Sequence, residues 1–280
     1  MQTVTIIYLL ALIIGGVLTA TLDSHDPLSK LFFVDIILTI IVFIASYRYN
    51  NASIYDPYWS VIPFGMIFYW LYIFGPEVIN IKVMLAAFVI SFWSWRLTGN
   101  WLRGWTGLDH EDWRYVQLRE KTGKWYVLVN FLGIHLFPTL VVFVGSIPIY
   151  YIFQFSSELN MFTWIGFAVA LSGVVIELTA DNQLHKFKKA SNNPMAVMRT
   201  GIWKRIRHPN YLGEILFWVG IFVMSYTPYT TLSTGAGVLL MIAMFVTISI
   251  PMIDKKLLKS KPEYTIYKSS TWALLPKFWK

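Results

Sequence analysis

The chain has 280 residues, 56% hydrophobic and 14% charged, with a formal net charge of +8 and no cysteine. Its mean hydropathy is +0.54. Soluble domains carry about 25% charged residues, so an ordinary soluble domain is excluded, and the missing cysteines exclude disulfides, thiolate nucleophiles and cysteine metal sites.

An apolar run of about 20 residues, rising about 1.5 Å per residue, crosses a hydrocarbon core about 30 Å thick. Eight runs meet or approach that length: residues 4–20, 31–47, 59–76, 82–96, 126–152, 161–180, 211–227 and 231–251. The fourth and seventh are short, and the seventh also fits a half-buried helix. The first has no basic leader and no small-residue cleavage site, so it is expected to be a span and not a cleaved signal peptide. The expected fold class is all-α: a polytopic membrane helix bundle of seven to eight transmembrane helices with cytoplasmic amphipathic segments. No Ser/Gly linker, low-complexity tract or repeat interrupts it. One integral membrane domain is therefore expected over residues 1–280, with N-terminal helices to residue 58 and a core over residues 59–280.

Eight spans place both termini on one side. That side carries 21 of the 23 Lys and Arg; only Lys30 and Lys82 fall on the other, beside Asp23, Asp26, Glu77 and Glu158. The positive-inside rule makes the basic side, and both termini, cytoplasmic. The implied location is the inner membrane in a bacterium or the endoplasmic reticulum in a eukaryote. Membrane lipids are the partners such a face attracts. Cations dispersed over membrane-protein loops exclude nucleic acid. Loops on the far side are short, so polar chemistry is expected on the cytoplasmic side or in a cavity opening towards it.

In chain order, the first chemical cluster is Tyr55-Asp56-Pro57-Tyr58-Trp59-Ser60. At the mouth of a span, Asp56 and Tyr58 have the chemistry to position or protonate a substrate. The same residues also read as a Pro-started, Asp-capped helix with interfacial aromatics. The segment from Arg96 to Arg119 reads as an amphipathic surface stretch. No His stands at helical spacing from His110, so no metal site is read there. His135, mid-span, reads as a buried hydrogen-bonding residue or, as the alternative, a catalyst.

Further on, Glu177, Asp181 and His185 follow each other at spacings of four, on one helix face, with Lys188 close by. A carboxyl within a span is costly and usually functional. Asp181 and Asn182 suit a ribose or carboxamide, and Lys188 suits phosphate. Residues 204–214 read Lys-Arg-Ile-Arg-His-Pro-Asn-Tyr-Leu-Gly-Glu. Arg199, Lys204, Arg205, Arg207 and His208 are forked or point donors to phosphates. Pro209 favours the start of a helix. Asn210 and Tyr211 then stand at an N-terminus whose free N–H groups favour an anion, with Glu214 one turn deeper. There is no Gly-x-Gly-x-x-Gly, P-loop or Gly-x-Ser-x-Gly motif, so a bound nucleotide is held by membrane-helix ends and not by a Rossmann sheet.

The stretch Arg207-His-Pro-Asn-Tyr-Leu-Gly-Glu214 resembles the signature of the steroid 5-alpha-reductase superfamily. That superfamily also holds sterol C14- and delta-7-reductases and the lamin B receptor. The likeness extends over residues 177–280, through Asp181, the Gly201-Ile-Trp turn and the closing Glu263-Tyr-x-x-Tyr267…Leu-Leu-Pro276. Trp93-x-Trp-Arg96 and Asp112-x-Arg-Tyr115 are similar to its bacterial branch. The resemblance implies an NADPH-dependent reductase of an enone or of a sterol or isoprenoid C=C, working in a lipid-accessible cavity. It implies that Asn210, Tyr211 and Glu214 touch the nicotinamide half and Asp181 the adenosine or ribose region. Arg96, Arg199, Arg205 and Arg207 reach the phosphates, and His208 matches the motif. Tyr58, Asp56 and Glu214 are the catalytic candidates. One departure stands out: the family's Gln-Glu pair before Leu-Pro has no counterpart in Trp59-Ser-Val-Ile-Pro63. Isoprenylcysteine carboxyl methyltransferases share the Arg-His-Pro-x-Tyr core and use S-adenosylmethionine; Asn210 and the Gly213-Glu214 ending favour the reductase. The third alternative is a non-catalytic membrane scaffold.

Overall fold

The computed structural model describes residues 1–22 and 26–276. Asp23, Lys277 and Lys280, which enter the charge asymmetry, lie outside the described residues. The architecture is all-helical, with no strand among the described residues. It divides into two compact units, residues 1–157 and 158–280.

The first unit holds seven helices. They are α1 (Gln2–Thr21), α2 (Pro27–Arg48), α3 (Tyr58–Phe74), α4 (Ile81–Gly104), α5 (Trp113–Thr122), α6 (Tyr126–Val129) and α7 (Phe137–Gln154). Their ends follow local chemistry. Asp26 caps α2, accepting from Leu28 N at 3.3 Å and Ser29 N at 3.0 Å, with Pro27 in the first turn. Asn80 caps α4 through Val83 N, and Asp112 caps α5 through Arg114 N. Between α6 and α7 the chain runs through a π-helical stretch, Asn130–Leu136, immediately before Phe137-Pro138. Proline has no N–H to give to the turn behind it, and the widened turn absorbs that loss.

The second unit holds α8 (Met161–Ala190), α9 (Pro209–Met224), α10 (Ala236–Met244), α11 (Ile250–Ser260) and α12 (Tyr264–Ser270). Asn160 and Thr163 form a capping box at the start of α8. A second π stretch, Phe245–Ser249, joins α10 to α11 just before Pro251, repeating the proline pattern. Helices α8 and α9 approach backbone to backbone. A Cβ added at Gly173 would meet Gly213 O at 2.5 Å, and one at Gly220 would meet Ala170 Cα at 2.6 Å. Small residues on facing helices permit this contact, which is how membrane helices gain packing when burial from water offers little.

Among the described residues, seven helical stretches are long and apolar enough to cross a membrane. The chain is an integral membrane protein. The fourth run, short in the sequence, extends to 24 residues because the helix continues past Arg96 to Gly104. The seventh is the 16-residue α9. At 1.5 Å per residue it spans about 24 Å, below the core thickness.

Candidate functional site

The sequence candidates fall in both units: Asp56, Tyr58 and Arg96 in the first, the others in the second.

In the second unit the 199–214 segment is held by the chain's last helices. Gly201 has φ +60, a conformation that favours glycine. It lets Ile202 N reach Gln183 Oε1 at 3.1 Å while Trp203 Nε1 donates to Ala180 O at 3.1 Å. Tyr267 donates its hydroxyl to Trp203 O at 2.5 Å. Residues 206 and 272 form a parallel bridge, flanked by Arg207 N→Trp272 O and His208 N→Ala273 O, both 2.9 Å.

Asp254 on α11 is the hub beneath this segment. Its Oδ1 accepts from Tyr264 Oη at 2.5 Å, faces His208 Nε2 at 3.0 Å and accepts from Arg207 Nε at 3.2 Å. Its Oδ2 accepts from Arg207 Nη2 at 3.1 Å and from Lys268 Nζ at 3.3 Å. Arg207 Nη1 donates to Thr271 O at 2.7 Å and Lys268 O at 3.3 Å. The guanidinium read from the sequence as a phosphate donor is thus turned inward, and its fork is matched to a carboxylate. Burial holds the His208 imidazole below its ordinary pKa, against the upward pull of Asp254. Burial and the Asp254 carboxylate push Tyr264 well up.

His208 stacks on Tyr211 at 5.4 Å and 15°, and Tyr211 stacks on Phe245 at 4.8 Å and 27°, forming a row of three rings. Glu214 is buried and accepts from Trp218 Nε1 at 2.9 Å. Glu177 and Asp181 are buried on α8, and Asn210 is half-buried at the start of α9. Lys204 and Arg205 are exposed. Arg199 donates through Nη2 to Glu263 O at 2.7 Å and to Glu263 Oε2 at 3.1 Å, while its Nε is buried with no protein partner.

In the first unit, Tyr58 lies at the start of α3 and donates its hydroxyl to Asp35 Oδ1 on α2, at 2.6 Å. Asp35 lines a groove between α1, α2 and α3 with a cavity volume of about 390 Å³. Leu12, Gly16, Ile62, Met66 and Tyr69 make up much of its wall, and Asp35 is the one carboxylic acid among the described lining residues. Asp56 accepts from Tyr115 Oη at 2.5 Å and joins a strap that ties residues 108–119 to the α2–α3 turn. Asn51 Nδ2 donates to Leu108 O and His110 O, Glu111 Oε1 accepts from Ala52 N, and Asp112 N donates to Ser53 Oγ. The 96–119 region is therefore an α4 extension, a strapped loop and the first turns of α5. Arg96 is buried within α4. His135 is buried and hydrogen-bonded, to Asn130 O and Ser46 Oγ.

Sequence reasoning missed Asp35 and Asp254. Asp35 carried a usable signal, a lone carboxyl within an apolar run. Asp254 is the one acid between Glu214 and Glu263, beside the basic tail.

Comparison with known proteins agrees with the motif reading. The family described as protein of unknown function DUF1295 matches residues 42–271. An uncharacterized protein of Schizosaccharomyces pombe is 27% identical over 197 residues, covering 62% of this chain and 57% of that protein. Steroid 5-alpha-reductase DET2 of Arabidopsis thaliana is 34% identical over 71 residues, covering 24% of this chain and 27% of its own length. The 3-oxo-5-alpha-steroid 4-dehydrogenase 1 of Rattus norvegicus is 30% identical over 112 residues, or 38% and 41%. The match thus spans little more than half the length of these relatives at most. No solved structure matches.

Proposed function

Since the chain belongs to the DUF1295 family of the steroid 5-alpha-reductase superfamily, we propose that it is a membrane-embedded, NADPH-dependent reductase of a C=C bond in a lipophilic substrate. The observation that carries this reading is the Asp35 carboxyl on the wall of an apolar groove, held by the Tyr58 hydroxyl behind it. A carboxyl among spanning helices is costly and is usually kept for function. Reduction of an enone needs a proton donor within hydrogen-bond reach. The carboxyl missing from the early α3 sequence is supplied here by the preceding helix.

The second unit has donors suited to a dinucleotide. Arg199 Nε is buried with no protein acceptor, Lys204 and Arg205 are exposed, and Asn210 and Tyr211 stand at the start of α9. Guanidinium forks fit phosphates, and the His208–Tyr211–Phe245 row offers a flat edge to an aromatic ring. Arg199 and Arg205 would hold phosphates. Arg207 and His208 would shape the segment through Asp254 without touching the nucleotide. Asn210, Tyr211 and Glu214 would face the nicotinamide half, and Asp181 the ribose. When bound, NADPH supplies the hydride. In the first unit, Asp35 and Tyr58 would hold a proton beside the apolar groove. The basic face is read as cytoplasmic.

The test is equilibrium binding to the purified chain in lipid nanodiscs, with NADPH and S-adenosylmethionine in separate titrations. A panel of enones is then run while NADPH oxidation is followed. Saturable NADPH binding with enone-dependent oxidation is expected. Saturable S-adenosylmethionine binding alone would move the chain to the methyltransferases. Binding of neither, with no oxidation, would leave the scaffold.

A further inference from the structure

The groove between α1, α2 and α3 has a buried floor and an open rim. Val34, Asp35, Ile62 and Met66 on the floor are buried, whereas Leu12, Gly16, Phe68 and Tyr72 on the rim are exposed. Two glycines keep it open. A Cβ added at Gly16 would meet nothing within 4 Å, and one at Gly65 would meet only Leu12 Cδ2, at 3.8 Å. From Ile62 to Tyr72 helix α3 rises about 15 Å, about half the hydrocarbon core. The rim lies among spanning helices, so what enters the groove comes from the bilayer.

One polar group on the floor has a place for a ligand. Asp35 is 3% exposed. Its Oδ1 accepts from Tyr58 at 2.6 Å, and no other described group donates to the carboxyl. Tyr58 does not line the groove, so Oδ2 is the oxygen left to it. The neighbouring hydroxyls of Thr19 and Tyr69 already donate, to Gly16 O at 2.9 Å and to Pro27 O at 2.8 Å. A buried polar group without a partner is costly, and the apolar wall supplies none. The occupant therefore has to bring it.

The chemistry of that partner narrows the occupant. A plain hydrocarbon tail leaves Oδ2 unpaired. A carboxylate or phosphate head sets a like charge against the carboxyl. A primary ammonium carries three donors towards a single acceptor and takes a second charge out of water, which a buried pair repays only with further hydrogen bonds. A carbonyl only accepts, so it fits the carboxyl in its acid form alone. A hydroxyl donates and accepts, so it satisfies Oδ2 whether the carboxyl is ionised or protonated.

We propose that the groove binds a lipid alcohol, with its hydroxyl on Asp35 Oδ2 and its hydrocarbon lying along α1 and α3 past Gly16 and Gly65. This deepens the reductase reading, on which it rests only in taking the bound alcohol for the substrate.

The test uses the full chain in phospholipid nanodiscs, without nucleotide. A diazirine-bearing octadecanol is photocrosslinked and the labelled peptides are mapped by mass spectrometry, while unlabelled oleyl alcohol, oleylamine, oleic acid or octadecene competes. Label on the groove residues of α1 or α3 is expected, and oleyl alcohol should compete at about tenfold lower concentration than each of the others. Asp35→Leu should erase the preference over octadecene. Tyr58 keeps the carbonyl of residue 35 as an acceptor, at 2.9 Å, so the α2–α3 contact persists in that variant. Asp35→Asn, whose amide donates and accepts, should retain the preference. Gly65→Leu, which fills the groove, should abolish labelling there while the size-exclusion profile stays that of the parent. Equal competition by the alcohol and octadecene in the parent would overturn the proposal. So would oleylamine competing best, or a preference for the alcohol that survives Asp35→Leu. NADPH binding and oxidation are measured separately: a chain that does neither overturns the reductase reading, and the competition result stands or falls by itself.

Discussion

Replacing Asp254 with alanine is the sharpest test of how the second unit is held. Asp254 is 4% exposed and receives Arg207, His208, Tyr264 and Lys268. The Arg207 side chain is 8% exposed, so removing its carboxylate leaves a buried guanidinium without a counter-charge. Breaking a buried pair from one side costs about 3–5 kcal/mol. The stranded Tyr264 hydroxyl would by itself cost about 1–3 kcal/mol, but the two losses share one carboxylate and do not add. Lys268, 41% exposed at its side chain, is screened by water and contributes little. The expected loss is about 4 kcal/mol in reversible unfolding of the chain in mixed micelles. Faster hydrogen exchange should appear at the amides of Arg207 and His208, which are bonded to Trp272 O and Ala273 O. The double variant Arg207→Met with Asp254→Leu should lose less than Asp254→Ala, because no charge is then left buried. A loss under about 1 kcal/mol, with unaltered exchange at those two amides, would refute the account, since it lies well below the cost of an orphaned buried charge.

Other outcomes follow from the same geometry. Gly220→Val should disrupt the α8–α9 contact and lower the yield of folded protein, because even a Cβ there meets Ala170 Cα at 2.6 Å; size-exclusion profiles in detergent read it, and Gly16→Ala, with open space at its Cβ, is the control. Tyr58→Phe and Asp35→Asn should each cut enone turnover about a hundredfold with little change in NADPH affinity; steady-state kinetics and nucleotide titration separate the two effects. Arg205→Ala should raise the NADPH Kd about tenfold, or about 1.4 kcal/mol, and flatten its dependence on salt. An unchanged Kd would remove Arg205 from the phosphate site.

The spans were legible because the bilayer leaves the backbone few choices: every N–H and C=O must be paired within the segment, so an apolar run of sufficient length is a helix. The run ending at Arg96 looked short because a cation ends a hydropathy window, whereas the helix itself continues to Gly104 with Arg96 buried inside the fold. The π stretches before Pro138 and Pro251 had a visible cause, but proline marks a disturbance without saying which turn absorbs it.

Chemical roles were harder to read, for one geometric reason. Helical spacing reports which residues share a face, as it did for Glu177, Asp181 and His185. It is silent on partners from other helices. Tyr58 finds Asp35 23 residues earlier, and Arg207 finds Asp254 47 residues later. Arg207 looks like a free phosphate donor in the sequence until its distant carboxylate is known, and Asp35 looks like an isolated cost until its phenol is known. Both cases have one origin: a buried charge has meaning only together with its counter-group. The proposed division of labour follows from it. Arg207, matched within the fold, shapes the segment. Lys204 and Arg205, both exposed, are cations with capacity for an anion from outside.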